Sequence, residues 1–494
     1  MTDSKADPLA ARLLKVAIHS LRRDILPALT DDATRIRLDH ITRLMRAASA
    51  LTSRRRDALE KLVEAARRCG GLDVPALVGD VTVEKLERQR CAIENSISLA
   101  LPALLDAAGG GDAAALRRLE AIVAFEKEFF VSQDADILKG SQVAYRGGRV
   151  DEEPTPVPLD RQLDEPSLTA YLRQRFGHDG VNASGVRPIP GGFSKETVFF
   201  TLEDQRAGTR QDLVIRKDIS EPFIDQTVTD EFPILSALHA RGFEVARPVW
   251  LETDRGFFGA PFMVSERVAG TSNAATWAGD RDRAAKSCRE LARILAQLHA
   301  FVPAELGFAA DRASLSAGLL MEGQVDRWTR LYHDRKREPV PTQEVSLVWL
   351  RRNIPKALYE RPARLVHGDV GFHNLMFDDQ GDVTALLDWE FTILGDPTQD
   401  LCFVRLFVEP LMEWNTFLEL YRSFGGQPPC DEAMFFFDLW TKTRNSIGCV
   451  ASQALFDTSM PREVKFALSG HIFGPYLYIE ECETVIAQLK QGRG

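Results

Sequence analysis

Three oxygen-bearing side chains follow one another closely in the stretch LVHGDVGFHNLMFDDQGDVTALLDWE at positions 365–390. An apolar run leads into Asp369, Asn374 follows five positions later, and a second apolar run ends at Asp388. Phosphoryl transfer from ATP needs a carboxylate that orients the acceptor hydroxyl, and oxygen ligands for the magnesium that neutralises the β- and γ-phosphates. Taken singly, each residue is ordinarily a turn, a cap or a strand end. Together, their types and spacing predict a phosphoryl-transfer site.

A hairpin is the element that must hold these groups together. The turn-forming residues Asp378, Asp379 and Gly381 separate the two apolar runs, which is typical of a tight connection between antiparallel strands. We therefore expect the loop after the first run and the end of the second strand to place the three oxygens around one ion and one hydroxyl.

The rest of the chain divides into segments of different pattern. Residues 1–150 have the three- and four-residue apolar spacing of helices, and 151–165 is a linker rich in Gly, Pro and charge. Residues 166–270 are rich in β-branched and aromatic runs, whereas 271–494 are mostly helical. The predicted fold is α+β: an all-helical accessory domain, a small β-rich lobe and a larger helical lobe.

The signature H-G-D-x-x-x-x-N followed by D-W-E resembles that of the aminoglycoside phosphotransferase and choline kinase superfamily. The resemblance extends over about residues 165–480 and implies a bilobal protein-kinase-like fold. It further implies ATP and Mg²⁺ as cofactors, Asp369 as catalytic base, and Asn374 and Asp388 as metal ligands. His367 is then expected to brace the loop rather than to transfer protons.

In the small lobe, the resemblance identifies IPGGFSKET at 189–197 as a nucleotide-positioning loop. Gly191 and Gly192 would let the backbone approach phosphate, and the N–H groups around Ser194 and Lys195 would donate to it. An ordinary hairpin is the alternative for a glycine pair between two strands.

The segment DLVIRKD at 212–218 aligns Arg216 with the usual kinase lysine. Strand alternation sends Arg216 and Lys217 to opposite faces, and we expect Arg216 to enter the cleft and contact phosphate. Glu231, fifteen residues further on, is predicted to hold this cation, with Asp230 as the alternative.

Further positions are implied by the resemblance alone. Glu266 and Val268 flank the expected hinge, where the backbone would read adenine. Asp396 and Asp400, in the G-D-P-x-x-D-L tail, would brace the catalytic loop by hydrogen bonds. The role of Glu390, near the metal or as a bracing residue, stays open.

The acceptor is predicted only as a small-molecule alcohol. QVDRWTRLY at 324–332 and SLVWLRRNIP at 346–355 resemble an insertion in the branch related to kinase domains fused to acyl-CoA dehydrogenases, which implies hydroxyacyl-CoA thioesters. Four arginines would face the coenzyme phosphates: Arg327, Arg330, Arg351 and Arg352. Gly371 replaces a basic residue that those relatives often carry, so another alcohol-bearing metabolite is an alternative.

Two other functions stay open at this point. One is an antibiotic or amino-alcohol kinase of the aminoglycoside or choline type. The other is a degenerate kinase domain that acts as a nucleotide-binding regulatory or interaction protein, because Arg216 departs from the commonest pattern.

Composition excludes several broad classes. The chain has 494 residues, 45% of them hydrophobic and 27% charged, and a formal charge of −10. This negative charge argues against a protein whose main role is to bind nucleic acid or an anionic membrane, because both attract a basic surface. The seven cysteines form no C-x-x-C pair, and no apolar window resembles a signal peptide or a spanning helix. We expect a cytoplasmic protein in which residues 1–150 form a homo-oligomer or dock a partner enzyme.

Overall fold

The computed structural model describes most of the chain. Apart from isolated positions before residue 46, the described residues are 56–67, 81–133, 163–189, 195–219, 226–272, 280–336, 340–458, 469–470 and 474–491. The predicted loop residues Gly191, Gly192 and Ser194 and nearly all of the predicted linker lie outside these ranges.

The regular elements follow the predicted order of helices, strands and helices. After a helical segment at 56–67, the helices are α1 (Val83–Gly109), α2 (Ala113–Gln133), α3 (Glu165–Phe176), α4 (Val228–His239), α5 (Arg255–Phe258), α6 (Arg281–Ala300), α7 (Ala310–Ala313), α8 (Ala317–Arg335), α9 (Pro341–Arg352), α10 (Thr398–Val408), α11 (Trp414–Ser423), α12 (Asp431–Thr458) and α13 (Gly474–Gln491). The strands are β1 (Val181–Ile189), β2 (Lys195–Asp204), β3 (Thr209–Asp218), β4 (Pro248–Glu252), β5 (Phe262–Glu266), β6 (Arg364–Val366), β7 (Leu375–Phe377), β8 (Val383–Leu386) and β9 (Ile393–Gly395).

The chain forms two compact units whose boundaries differ from the predicted domains. One unit contains Met1–Arg146, Met321–Pro355 and Phe435–Gly494, and the other contains Gly147–Leu320 and Lys356–Met434. The sequence predicts a single helical lobe over 271–494, whereas α9 and α13 pack with α1 and α2 in the first unit.

In the second unit, an antiparallel sheet has the strand order β1-β2-β3-β5-β4. One face of β2 and β3 is apolar, because Val198, Phe200 and Ile215 lie in a core with residues of α3. Since side chains alternate along a strand, the register pair Thr197 and Arg216 faces the other side. Strand alternation therefore fixes which face of the sheet can serve a site.

Helix α3 is fixed at both ends by local chemistry. The Asp164 carboxylate accepts from the Ser167 amide at 2.9 Å, and the Ser167 hydroxyl accepts in turn from the Asp164 amide. Gly177 ends the helix at φ 74°, a left-handed conformation that glycine adopts without strain. Leu168 and Leu172 then bury the helix against the sheet core.

The helical part of the second unit is built around α6. Its apolar stripe packs with the two-stranded sheet β6–β9, with the short hairpin β7–β8, and with α10 and α11. The run that ends at Asp388 forms a hairpin with β7, the strand after Asn374, with Leu375 opposite Leu386, whereas the run that leads into Asp369 is β6 and pairs with β9. The backbone at Asn374 and the backbone before Asp388 are thus neighbours.

In the first unit, an acidic side chain is buried where α2 meets α9. Glu126 accepts hydrogen bonds from both the amide and the hydroxyl of Thr342, and only 4% of the residue is exposed. Burial raises the pKa of Glu126 to about 8, with the charges of Glu94 and Glu481 acting in the same direction. The group is therefore mostly protonated near neutral pH.

Replacement of Glu126 by glutamine is expected to remove a pH dependence of stability. Because the folded-state pKa is raised, the contribution is full below the unfolded pKa and is lost as pH rises towards about 8, with a slope of about 1.4 kcal/mol per pH unit. Glu126→Gln should match the wild type near pH 5 and exceed its unfolding free energy above pH 8 in urea titrations. Exposed Glu128→Gln is the control, and a parallel pH profile for Glu126→Gln would contradict this account.

Helix α1 departs from the expectation that no segment could span a membrane. This helix is long and apolar enough to cross a membrane, but the core helix of a soluble protein can be equally long and apolar.

Candidate active site

The loop after β6 is held in place by a buried carboxylate. Asp400, at the start of α10, accepts hydrogen bonds from the amides of His367 and Gly368, both at 2.8 Å. Gly368 has φ 83°, and a Cβ there would lie 2.5 Å from the carbonyl oxygen of Phe391. Glycine is therefore required at this position, both for the left-handed backbone and for the close approach.

His367 links this loop to the end of β8, the strand that precedes Asp388. Its Nε2 lies 2.9 Å from the carbonyl oxygen of Leu387, and its Nδ1 lies 3.3 Å from the amide of Asp369. Burial lowers the pKa of His367, so the ring is neutral. A neutral ring that donates from Nε2 and accepts at Nδ1 satisfies both contacts, which gives His367 a bracing role.

Asp369 and Asn374 contact each other directly. The Asn374 amide nitrogen donates to the Asp369 carbonyl oxygen at 2.9 Å and to its Oδ2 at 3.2 Å. The Asn374 Oδ1 is buried and has no hydrogen-bond partner. Since buried acceptors are nearly always satisfied, a bare amide oxygen beside a carboxylate fits a cation ligand.

Asp388 has a strained backbone. Its φ of 67° makes it the one non-glycine residue with positive φ in the part of the chain that is described. Such conformations cost free energy and are found mostly at functional sites. The main chain places Asp388 next to Asn374, because the Leu387 amide donates to the Asn374 carbonyl at 2.8 Å.

Arg216 crosses from the sheet to this aspartate. Its Nη2 donates to the Asp388 Oδ1 at 2.9 Å and lies 3.8 Å from a Glu390 carboxylate oxygen. Glu390 thus lies beside the proposed metal ligand. Lys217 pairs with Glu196 at 2.6 Å on the other face of the strands, as alternation predicts.

Glu231 contacts a different cation from the one predicted. The Lys195 ammonium lies 3.7 Å from the Glu231 carboxylate, whereas the nearest carboxylate to Arg216 is that of Asp388. Lys195 is closer to the start of α4, where its ammonium donates to the Gln226 carbonyl oxygen at 2.6 Å. The side chain of Lys195, rather than its backbone, is therefore what the structure brings to the site.

The structure decides between the two acids at the start of α4. Asp230 accepts from the amide and hydroxyl of Thr227 and so caps the helix. Glu231 is 1% exposed, and burial raises its pKa, while Arg216 and Lys195 act in the opposite direction. Glu231 is therefore the acid that faces the cations.

The expected hinge follows β5. The Glu266 carboxylate pairs with Arg247, which lowers the pKa of Glu266. The Glu266 side chain is therefore engaged with Arg247, and contact of the backbone from Glu266 to Val268 with a base stays a prediction. The guanidinium of Arg267 lies 4.5 Å from the ring centroid of Phe199, on the face of the sheet that carries Arg216.

Three bracing residues escaped the sequence analysis. His299 lies 3.1 Å from Asp400, Gln226 donates to the Trp389 carbonyl at 3.3 Å, and Asp218 accepts from the amide that begins α4. Asp218 shares the face of Arg216 by strand alternation, a signal that could have found it. His299 and Gln226 act across long sequence separations and leave no local pattern.

Loss of the Asp400 carboxylate is expected to destabilise the second unit. Asp400→Asn replaces one acceptor oxygen with an amide that faces backbone N–H groups, which should lower the unfolding free energy by about 3 kcal/mol. Urea titration of the variant against exposed Asp311→Asn measures the effect. Equal unfolding free energies for the two variants would show that the carboxylate does not hold the loop.

Two arginines proposed to meet coenzyme phosphates are already paired. Arg351 contacts Glu322 and Asp326 at 3.0 and 2.9 Å, and Arg352 pairs with Asp106. These contacts lie within the first unit and neutralise both guanidinium groups.

The residues present fit magnesium better than a metal held by protein alone. In the described ranges, no three His, Cys, Asp or Glu side chains cluster as a metal cage. Mg²⁺ usually takes one or two protein carboxylates and completes its shell with water and substrate phosphates. Asp388 and the bare Asn374 oxygen match that requirement.

Comparisons with known proteins find a matching family model and two related groups of proteins. Residues 185–422 match the family model described as "Phosphotransferase enzyme family". The chain is 30% identical over 255 residues to acyl-CoA dehydrogenase family member 11 of Rattus norvegicus. This match covers 50% of this chain and 31% of that protein. Family member 10 of Mus musculus is 25% identical over 253 residues, 50% of this chain and 22% of the relative. This chain therefore matches less than a third of those relatives' length.

A solved structure supports the fold. A Ralstonia eutropha protein assigned as an aminoglycoside phosphotransferase has a TM-score of 0.50 and 21% identity, covering 66% of this chain and 98% of that one. The expected resemblance and the α+β kinase-like fold class are thereby confirmed.

Proposed function

We propose that this chain, whose residues 185–422 match the model of the phosphotransferase enzyme family, transfers the γ-phosphate of ATP to a hydroxyl of a small molecule. The observation that supports this most is the grouping of Asp369 with the bare Asn374 oxygen and the strained Asp388, which flank the β7–β8 hairpin. These groups supply what phosphoryl transfer needs, a carboxylate for the hydroxyl and oxygens for a cation.

Each side chain then has a defined task. Asp369 orients the acceptor hydroxyl and takes its proton at a carboxylate oxygen, while neutral His367 and Asn374 hold the loop. Asn374 and Asp388 would hold magnesium, which when bound neutralises charge on the phosphates. Arg216 exchanges its contact with Asp388 for phosphate oxygens as nucleotide enters.

Hydroxyacyl-CoA thioesters are the acceptor class we propose to test first. Their support is the similarity over half of this chain to the acyl-CoA dehydrogenase family members. The pairing of Arg351 and Arg352 with carboxylates removes two of the cations expected to meet the coenzyme. Amino alcohols and aminoglycosides are therefore included as the alternative acceptors. We further propose a cytoplasmic location, and docking of a partner enzyme or a second copy through residues 1–150.

A nucleotide-binding regulator is the second candidate function. The observation that favours it is the contact of Arg216 with Asp388, which occupies a predicted metal ligand with a cation of the chain itself. In that case ATP binds but no acceptor is phosphorylated.

One experiment separates these candidates. The full chain is incubated with ATP and Mg²⁺ against hydroxyacyl-CoA thioesters, amino alcohols and aminoglycosides, and products are analysed for the mass gain of one phosphate. ATP affinity is measured in parallel by calorimetry. A phosphorylated acceptor supports the kinase, binding without product supports the regulator, and neither binding nor product contradicts both.

A further inference from the structure

A second buried cation lies beside the proposed nucleotide site. Lys195 is the first residue of β2, and 2% of its side chain is exposed. Its ammonium contacts the Gln226 carbonyl at 2.6 Å, the Asp218 carboxylate at 3.2 Å and the Glu231 carboxylate at 3.7 Å. A lysine is rarely this buried unless its charge is compensated, and two carboxylates compensate it here.

The Glu231 carboxylate depends on nearby cations to compensate its charge. Both of its carboxylate oxygens are buried and have no hydrogen-bond partner. Arg216 lowers the pKa of Glu231 more than Lys195 does, although its guanidinium donates to Asp388. Lys195 forms the ion pair with Glu231, at 3.7 Å, and so adds to the compensation of its charge while Arg216 is engaged with Asp388.

The contacts of Lys195 extend to the segment after β8. The Asp218 carboxylate, which forms an ion pair with the Lys195 ammonium, also accepts a hydrogen bond from the Val228 amide and so caps α4. The Gln226 carbonyl accepts a hydrogen bond from the same ammonium, and the Gln226 side-chain amide donates to the carbonyl of Trp389, one residue after Asp388. The buried ammonium thus connects β2 with the end of β3 and the start of α4, and through Gln226 with the segment after β8.

We infer that Lys195 is a positioning residue that holds Glu231 in place, so that Arg216 is free to serve Asp388 and the phosphates of the nucleotide. This rests on the proposed function and adds a division of labour between two cations, one from β2 and one from β3. Lys195 acts through Glu231 and need not touch the nucleotide.

The consequence of removing the ammonium is specific. In Lys195→Met, the uncompensated Glu231 attracts Arg216 and draws it away from the phosphates. The dissociation constant of ATP should then rise about tenfold, and the KM for the acceptor should stay unchanged. In Lys195→Met/Glu231→Gln the attraction disappears, so ATP affinity should return to within about threefold of the wild type.

The chain offers a matched control. Lys217 pairs with Glu196 across the same two strands but on the opposite face, and its side chain is 12% exposed. Lys217→Met should lower stability less than Lys195→Met does, and leave ATP affinity within about twofold of the wild type. Thermal melts of all variants check folding.

The outcomes are distinguishable. Weak ATP binding by Lys195→Met that Glu231→Gln relieves supports the inference, and the double variant, which removes both buried charges, serves if the single variant does not fold. Wild-type affinity in Lys195→Met, or a double variant as weak as the single one, overturns it while the proposed function stands. Absence of ATP binding by the wild-type chain overturns both.

Discussion

Replacement of Asp369 by asparagine is expected to slow phosphorylation of the acceptor by about three orders of magnitude. The asparagine side chain has the size of the aspartate, and its oxygen can still accept the hydrogen bond from the Asn374 side chain. It cannot take the proton of the attacking hydroxyl. Since the defect lies in the chemical step, kcat should fall while the dissociation constant of ATP changes little. Single-turnover kinetics with the acceptor identified by mass gain, combined with calorimetry for ATP, measure both quantities.

Asp379→Asn is the control for this substitution. Asp379 lies in the exposed turn of the neighbouring hairpin and makes no contact with the site, so its variant should retain wild-type turnover. Thermal melting of Asp369→Asn close to that of the wild type would show that the fold is intact. Turnover within tenfold of the wild type would remove Asp369 from the role of catalytic base.

Asp388→Asn is expected to have an effect of similar size through a different route. Asparagine tolerates the left-handed backbone that this position requires, so the substitution changes charge without adding strain. It removes the carboxylate proposed as principal metal ligand and the partner of Arg216. Turnover should fall by about three orders of magnitude, and the Mg²⁺ concentration for half-maximal ATP binding should rise at least about tenfold.

The control for Asp388 is a carboxylate on the same hairpin. Asp382 forms an exposed ion pair with Lys286 at 2.8 Å, and Asp382→Asn should leave both turnover and Mg²⁺ dependence unchanged. An Mg²⁺ dependence in Asp388→Asn equal to that of the wild type would exclude this residue as a metal ligand, whatever happens to activity.

The sequence predicts the local part of this site well. Asn374 and Asp388 flank the β7–β8 hairpin and Asp369 precedes Asn374 by five residues, so spacing and turn chemistry suffice to bring them together. Strand alternation likewise separates Arg216 from Lys217 correctly.

Longer-range pairing is beyond the same reasoning. Whether Lys195 or Arg216 meets Glu231 depends on where the start of α4 lies relative to two strand ends, a tertiary relation that no local pattern records. The choice between Asp230 and Glu231 likewise depends on the Thr227 cap. For the same reason, the grouping of α9 and α13 with α1 and α2 could not be found from composition, because all four are amphipathic or apolar helices.

The close approach of Gly368 to the Phe391 carbonyl limits how the proposed phosphotransferase could be redesigned for new acceptors. Any side chain at 368 would force two main-chain segments apart and carry Asp369 with it, so a library that varies this loop would yield mostly inactive clones. His373 is a better position to diversify, because its side chain is 35% exposed and its ring lies 3.8 Å from the Asp369 carboxylate. If Asp369 orients the acceptor as proposed, changes at His373 would alter the surroundings of the acceptor without adding a side chain at the Gly368 backbone.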